Sequence, residues 1–276
     1  MPGVDRSSFS RAPVCVACGT QYPEAEQMTE CPVCRDERQY VGWAGQRWTT
    51  TAEIAADHQI RFEDAAGVMT MALQPEFAIG QRAFLIPQEG GMVMWECLPA
   101  VTDAALERIA GLGGVQAIAI SHPHFYSAMH EWSAALGGVP IYLHEADEEW
   151  VRHDSPFLRF WDGEHFTLTG ALDLVHLPGH FAGSTGLWWK NGPRPGGSLF
   201  PGDALYVVMD RRFVSFMRSY PNLIPLGPKA LGRLEAKIGP LAFTDLYSAF
   251  EGREIIGDAM ERVAASFARY RDALKG

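Results

Sequence analysis

An α/β protein whose sheets are covered by outer helices, carrying a small module at its start, is the fold class the sequence predicts. Three observations predict it. Two C-x-x-C pairs crowd into the first 34 residues. A β-rich stretch follows from His58 to Pro99, and from Thr102 onward strand-like and helix-like segments alternate. Antiparallel strands first and βα units later are the order expected of sheets packed beneath helices.

Four of the five cysteines fall in CVAC (Cys15, Cys18) and CPVC (Cys31, Cys34), with twelve residues between the pairs. Each C-x-x-C brings two thiolates to one face of a tight turn, and two such turns close a tetrahedral site with no open position. Gly19 and Pro32 suit those turns. The expected ion is structural zinc, since some forty residues bury too little core to hold a fold without a staple. The segment resembles a short zinc ribbon and, more loosely, a truncated rubredoxin. Residues 1–48 are therefore expected to form a zinc ribbon and connector, and residues 49–276 the main domain. Cys97, alone in the apolar run GMVMWECL, reads as a small core hydrophobe.

In the main domain IRFED, VMTMAL, FAIGQRAFLI and GMVMWECL read as strands broken by turn residues. Thr102 caps a helix over TDAALERIAGLGG, and VQAIAI (Val115 to Ile120) follows as a buried strand. SAMHEWSAALGG reads as a helix, VPIYLH as a strand and EADEEWVR as a short helix with a solvated charged face. Strands then cover FTLTGALDLVHL, STGLWWK and GSLF. PKALGRLEAKI is a helix, FTDLYSAF a strand, and a last helix runs from about Arg253 to Ala273.

Composition narrows the function. The chain has 276 residues, a net charge of −10, 47% hydrophobic and 20% charged residues. An acidic surface disfavours nucleic acid as partner, because such binding rests on clustered Lys and Arg. No apolar run is long enough for a membrane-spanning helix. The opening MPGVDRSSFS lacks a basic start and an apolar stretch, so the cytoplasm is the expected compartment. A small-molecule substrate is the expected partner, with a homodimer as a further possibility.

The chemistry concentrates at strand ends. His122 and His124 in SHPHFYSAMHEW follow VQAIAI, His180 follows LDLVHL on the Pro-Gly turn of HLPGHFAGST, and Asp203 follows GSLF in LFPGDAL. In open α/β sheets functional groups gather beyond the carboxyl ends of strands. Three imidazoles and a carboxylate form a donor set suited to zinc, iron or manganese.

The order HxH, then LPGH followed by GS, then GD, resembles the metallo-β-lactamase-fold superfamily, from about Gln59 to the C-terminus. The resemblance implies an αβ/βα sandwich, a metal held by His122, His124 and His180, and Asp203 at the metal. The motif of that superfamily is HxHxDH. Its Asp and His are Tyr126 and Ser127 here, and the family's last histidine falls around Phe250, so the three private ligands of a second metal are missing. One metal is the expectation.

The leading expectation is hydrolysis of an ester, thioester or lactone by one zinc, with Asp203 as fourth ligand or base and Tyr126 as donor to a developing oxyanion. An iron dioxygenase resembling persulfide dioxygenases, using His122, His180 and Asp203, is the alternative. A non-catalytic binding or assembly protein with the ribbon as docking module is another. In RRFVSFMRSYPNLIPL, Arg211, Arg212 and Arg218 with Phe213 and Tyr220 are expected to line the substrate pocket, the arginines holding a carboxylate or phosphate.

Overall fold

Alternation within single strands dictates the architecture. In Ala83–Gln88, Phe84 and Ile86 point to one side of the strand while Ala83 and Leu85 point to the other, and all four are fully buried. A strand buried on both faces needs a layer on each side. The structure, a computed structural model, describes Phe9, residues 11–24 and residues 28–275, and it supplies those layers.

A seven-stranded sheet runs in the order Gln59–Ala65, Val68–Gln74, Ala83–Gln88, Gly91–Trp95, Val115–Ala119, Ile141–His144 and Leu158–Trp161. Its first four strands pair antiparallel and the later pairings are parallel. A six-stranded sheet runs His165–Thr167, Leu172–His176, Thr185–Trp189, Ser198–Phe200, Asp245–Tyr247 and Glu254–Ile255. Between the two, Phe84, Trp95 and Trp161 of the first sheet pack with Leu187, Phe200 and Tyr247 of the second. Phe84 meets Phe200 edge-on at 5.0 Å, and Phe200 stacks on Tyr247 at 4.8 Å.

Helices cover the outer faces. Asp103–Gly111 and Met129–Ala135 lay Ile109 and Trp132 against Leu85, Met94 and Ile118 of the larger sheet. Pro228–Ile238 and Ala259–Ala273 lay Leu234 and Phe267 against Val175, Leu199 and Leu246 of the smaller one. The result is the expected αβ/βα sandwich. The Thr102 hydroxyl caps its helix by accepting from the Ala105 amide at 3.2 Å.

Several boundaries differ from those predicted. The last helix begins at Ala259, because Glu254–Ile255 is drawn off as an edge strand on Asp245–Tyr247. The helix expected over SAMHEW begins at Met129, since Ser127 takes a left-handed backbone (φ 45°) that stops a helix from starting earlier. EADEEW is a 3₁₀ segment. Thr51–Asp57 is a helix not foreseen, although its capping box is plain in TTAE: Thr50 and Glu53 satisfy each other's backbone N–H.

The amino-terminal segment folds onto the sandwich. Pro13–Cys15 pairs antiparallel with Trp48–Thr50, and Cys15, Cys18, Cys31 and Cys34 are buried together with Tyr22 and Val33. The opening MPGVDRSSFS, from which the compartment was expected, lies outside the described residues apart from Phe9. Among the described residues no helix is long and apolar enough to cross a membrane.

Truncating the ring at the centre of the inter-sheet core, Phe84→Ala, is expected to destabilise the protein by about 3–5 kcal/mol, the usual cost of a large buried cavity. Urea unfolding monitored by circular dichroism reads it.

Candidate metal centre and its cavity

Three strand ends meet at one edge of the sandwich. Val115–Ala119 delivers His122 and His124, Leu172–His176 delivers His180, and Ser198–Phe200 delivers Asp203. All four side chains are buried, and one ligand atom from each lies within 4.8 Å of every other. His124 Nδ1 is 3.2 Å from His180 Nε2, and Asp203 Oδ2 is 3.5 Å from His122 Nε2 and 3.8 Å from His180 Nε2. A tetrahedral zinc with bonds of about 2.0–2.1 Å has ligand-to-ligand edges of about 3.3 Å. The donors already stand at that spacing.

His122 Nε2 and Asp203 Oδ1 are buried and have no hydrogen-bond partner within the protein, a costly arrangement that a cation relieves. Burial, reinforced by the neighbouring histidines, lowers the pKa of His124 well below the ordinary value. Burial, followed by His122, lowers His180 to about 3. Both rings are therefore neutral at physiological pH, the state in which imidazole binds metal.

A supporting layer orients the ligands. The Ser121 hydroxyl hydrogen-bonds His122 Nδ1 at 2.7 Å, which leaves Nε2 for the ion. The Ser121 amide donates to Glu96 Oε2 at 3.0 Å. Glu96 is fully buried, and burial pushes its carboxyl up to about 8. Gly202 holds a left-handed backbone (φ +52°) where an added Cβ would stand 2.4 Å from Ser121 Oγ, so only glycine brings the two ligand strands this close. Asp147 accepts from the Gly183 amide at 2.7 Å and pins the loop carrying His180. Glu96 had a sequence signal, a lone acid closing an apolar strand. Asp147 had none: EADEEW was expected to face water, and this one member is buried.

The cysteine cluster meets the same geometric test. Cys15 and Cys34 Sγ are 3.6 Å apart, as are Cys18 and Cys31 Sγ. Zinc–sulfur bonds of about 2.3 Å imply edges of about 3.8 Å. None of the five cysteines is in a disulfide, and Cys97 is buried in the core. Gln46 donates to Cys15 Sγ at 3.1 Å.

This module docks on its own chain. Arg38, four residues beyond Cys34, sits with its guanidinium 3.7 Å from the Phe181 ring centroid and donates to the His180 carbonyl at 3.4 Å. Asn222 donates to the Glu37 and Gln39 carbonyls. Gly19 of the first knuckle packs on Pro99, and the Gln21 amide donates to the Ser127 carbonyl at 3.1 Å. Ala17, Gln39 and Tyr40 consequently form one wall of a cavity of about 290 Å³ that opens onto His124, His180 and Asp203.

Other expected site residues fall elsewhere. Tyr126 does not line that cavity: its ring is in the core and its hydroxyl stands 3.5 Å from the Asp147 carbonyl. Arg211 donates to the Gly252 carbonyl, Arg212 pairs with Asp210, and Arg218 pairs with Glu37 of the ribbon segment. Phe213 packs beneath Arg269 at 3.8 Å. Of the predicted substrate-binding residues only Tyr220 lines the cavity, its hydroxyl donating to the Asp203 carbonyl at 3.0 Å. The arginines are drawn away by nearer acceptors, and the pocket takes rings instead: Tyr206 and Phe250 join Tyr220. His130 packs against His153 at 4.6 Å, outside the ligand group.

Comparison with known proteins gives a family and a fold. The uncharacterized protein YmaE of Bacillus subtilis (strain 168) is 41% identical over 265 residues, covering 95% of this chain and 96% of YmaE. The chain belongs to the YmaE family. No protein-family model matches it. Solved structures similar to this YmaE-family chain are metallo-β-lactamase-fold proteins. DIM-1 metallo-β-lactamase has a TM-score of 0.57 at 12% identity, covering 78% of this chain and 98% of its own. VMB-1 has 0.56 at 12%, with the same coverage, and BLEG-1 B3 metallo-β-lactamase 0.51 at 18%, covering 70% and 97%. They share the fold of the YmaE-family protein, and the region they match leaves the chain's remaining part without a counterpart.

Arg38→Ala is expected to weaken metal binding at the histidine site by about 10- to 100-fold, the usual effect of losing a group that orients a ligand. The cysteine site should stay loaded, as a chelator competition with metal analysis would report. Asp147 gives a pH signature. Burial raises its carboxyl to about 7, whereas an unfolded Asp titrates near about 3.9. Between those values the folded protein holds a proton that the unfolded chain has lost. Its contribution to stability is therefore present at low pH and lost as pH rises through about 7. Thermal melts across that window should slope downward more steeply for wild type than for Asp147→Asn.

Proposed function

We propose that the protein is a metal-dependent hydrolase that uses a single zinc to cleave an ester, thioester or lactone of a small molecule. The observation that carries this reading is the convergence of His122, His124, His180 and Asp203 at tetrahedral spacing beside a cavity of substrate size. When bound there, zinc supplies Lewis acidity, polarising an acyl carbonyl and lowering the pKa of water towards 7.

The chain's own residues do the rest. Asp203 directs Oδ2 into the ligand group and keeps Oδ1 without a partner, placed to accept a proton from attacking water. Water's oxygen bonds to the acyl carbon, the acyl C–O or C–S bond breaks, and Asp203 passes its proton to the leaving oxygen or sulfur, which departs as alcohol or thiol or, in a lactone, stays tethered as a hydroxyl. Tyr206, Tyr220 and Phe250 hold the substrate body and exclude bulk water.

Participation of His124 supports zinc hydrolysis over the oxygen-activating iron alternative. A facial triad of His122, His180 and Asp203 would leave three positions open, whereas His124, its Nδ1 3.2 Å from His180 Nε2, would add a third imidazole to the donors. The packing of Arg38, Gln39 and Tyr40 against the site speaks against the ribbon as a module reserved for docking another protein.

Metal analysis of wild type, His122→Ala/His180→Ala and Cys15→Ser/Cys31→Ser tests the reading together with a panel of esters, thioesters and lactones. Two zincs per chain are expected, one lost in each variant, with turnover falling by a factor of about 10³ or more in the histidine variant. Iron in the histidine site together with oxygen uptake on thiols would replace the hydrolase by the dioxygenase.

A further inference from the structure

The cavity has a chemical bias of its own. Tyr220 packs beside His180 with centroids 5.9 Å apart, Tyr206 beside Tyr220 at 4.8 Å, and Phe250 beside Tyr206 at 5.6 Å. A continuous aromatic wall thus runs outward from a metal ligand, and Tyr40 of the ribbon segment lines the same cavity. The wall leads into an adjoining cavity of about 560 Å³ that shares Tyr206, Phe250 and Glu76 with the first.

The charges along this path are unevenly committed. Among the described residues no arginine or lysine lines the inner cavity. In the outer one Arg61 is paired with Glu63 and Glu251. Arg253, which also lines the outer cavity, donates to the Val207 carbonyl and the Met209 sulfur and already lies 4.5 Å from the Tyr206 ring centroid, a cation seated on this aromatic wall. Glu76 lines both cavities, and among the described residues its carboxylate makes no hydrogen bond or ion pair. In the inner cavity aromatic faces stand beside an uncommitted carboxylate, the combination by which quaternary ammonium groups are recognised.

We propose that the substrate carries a cationic amine, quaternary or protonated, seated against the aromatic wall beside Glu76 while its acyl group reaches the metal ligands. The proposal rests on the hydrolytic reading of the same site for what becomes of the bound molecule, and stands apart from it for what is bound. It replaces the carboxylate or phosphate group expected from Arg211, Arg212 and Arg218.

The test uses matched probes of one shape and different charge. Binding of choline and of its uncharged carbon isostere, 3,3-dimethylbutan-1-ol, is measured calorimetrically on zinc-loaded wild type, Glu76→Gln and Tyr206→Leu. Circular dichroism confirms that the variants fold. Choline should bind about tenfold more tightly than the isostere, a difference of about 1.4 kcal/mol, and either substitution should remove most of that preference. Equal binding, binding of neither probe, a preference for the uncharged isostere, or a preference for choline that survives in both variants overturns the proposal. Turnover of acetylcholine and 3,3-dimethylbutyl acetate separates the two readings. A charge preference in binding with no hydrolysis of either ester removes the hydrolase and leaves the amine site standing. Hydrolysis of both esters with equal kcat/KM removes the amine site and leaves the hydrolase.

Discussion

Packing of one sheet on the other through Phe84, Trp95, Phe200 and Tyr247 fixes everything that happens at the edge of the sandwich. The ligand-bearing loops have no rigid frame of their own. They are short extensions of Val115–Ala119, Leu172–His176 and Ser198–Phe200, strands that belong to two different sheets. His122 and Asp203 can therefore approach to 3.5 Å only if the distance and tilt between the sheets are held by the rings between them. Gly202 sets the limit of that approach, since a side chain there would strike Ser121. A dense core resists small displacements, and a metal site tolerates few.

The ribbon joins this frame. A closed four-thiolate site has no position for substrate, which suits a structural part. What it structures, though, is more than forty residues of ribbon. Cys34 ends the second knuckle, and within a few residues the chain supplies Arg38 to the His180 carbonyl and Gln39 and Tyr40 to the cavity wall. The two clusters are thus joined through the Arg38 side chain, which follows the second knuckle and reaches the His180 carbonyl.

The sequence carried the parts of this arrangement that are periodic or local. Two-residue alternation marked the strands, Thr102 and the paired glycines at Gly113 and Gly114 marked a helix, and the spacing of the cysteines marked the knuckles. The ligands were legible because each stands directly after a buried strand, and the HxH, PGH and GD order supplied their grouping. What stayed hidden depends on contacts between distant segments. Asp147 looks like its neighbours Glu148 and Glu149 until Gly183 is placed beside it. Arg211, Arg212 and Arg218 look like pocket residues until Gly252, Asp210 and Glu37 are found nearer. Tyr126 offered a hydroxyl, yet its ring is claimed by the core. No pattern within a window of sequence encodes such competition.

On the resemblance to the HxHxDH motif, Tyr126 and Ser127 fall at two ligand positions and Phe250 near a third. Ser127 takes a left-handed backbone, and its hydroxyl accepts from Gln81 at 2.8 Å. Phe250 packs on Phe125 and Tyr206. Among the described residues no other group of metal-ligating side chains adjoins the four-residue cluster. A satisfied hydrogen bond and an aromatic ring stand at those positions, and neither compensates a buried charge. Phe250, which packs on Phe125 and Tyr206, also lines the cavity beside the four-residue cluster, so one ring serves both the packing and the cavity wall.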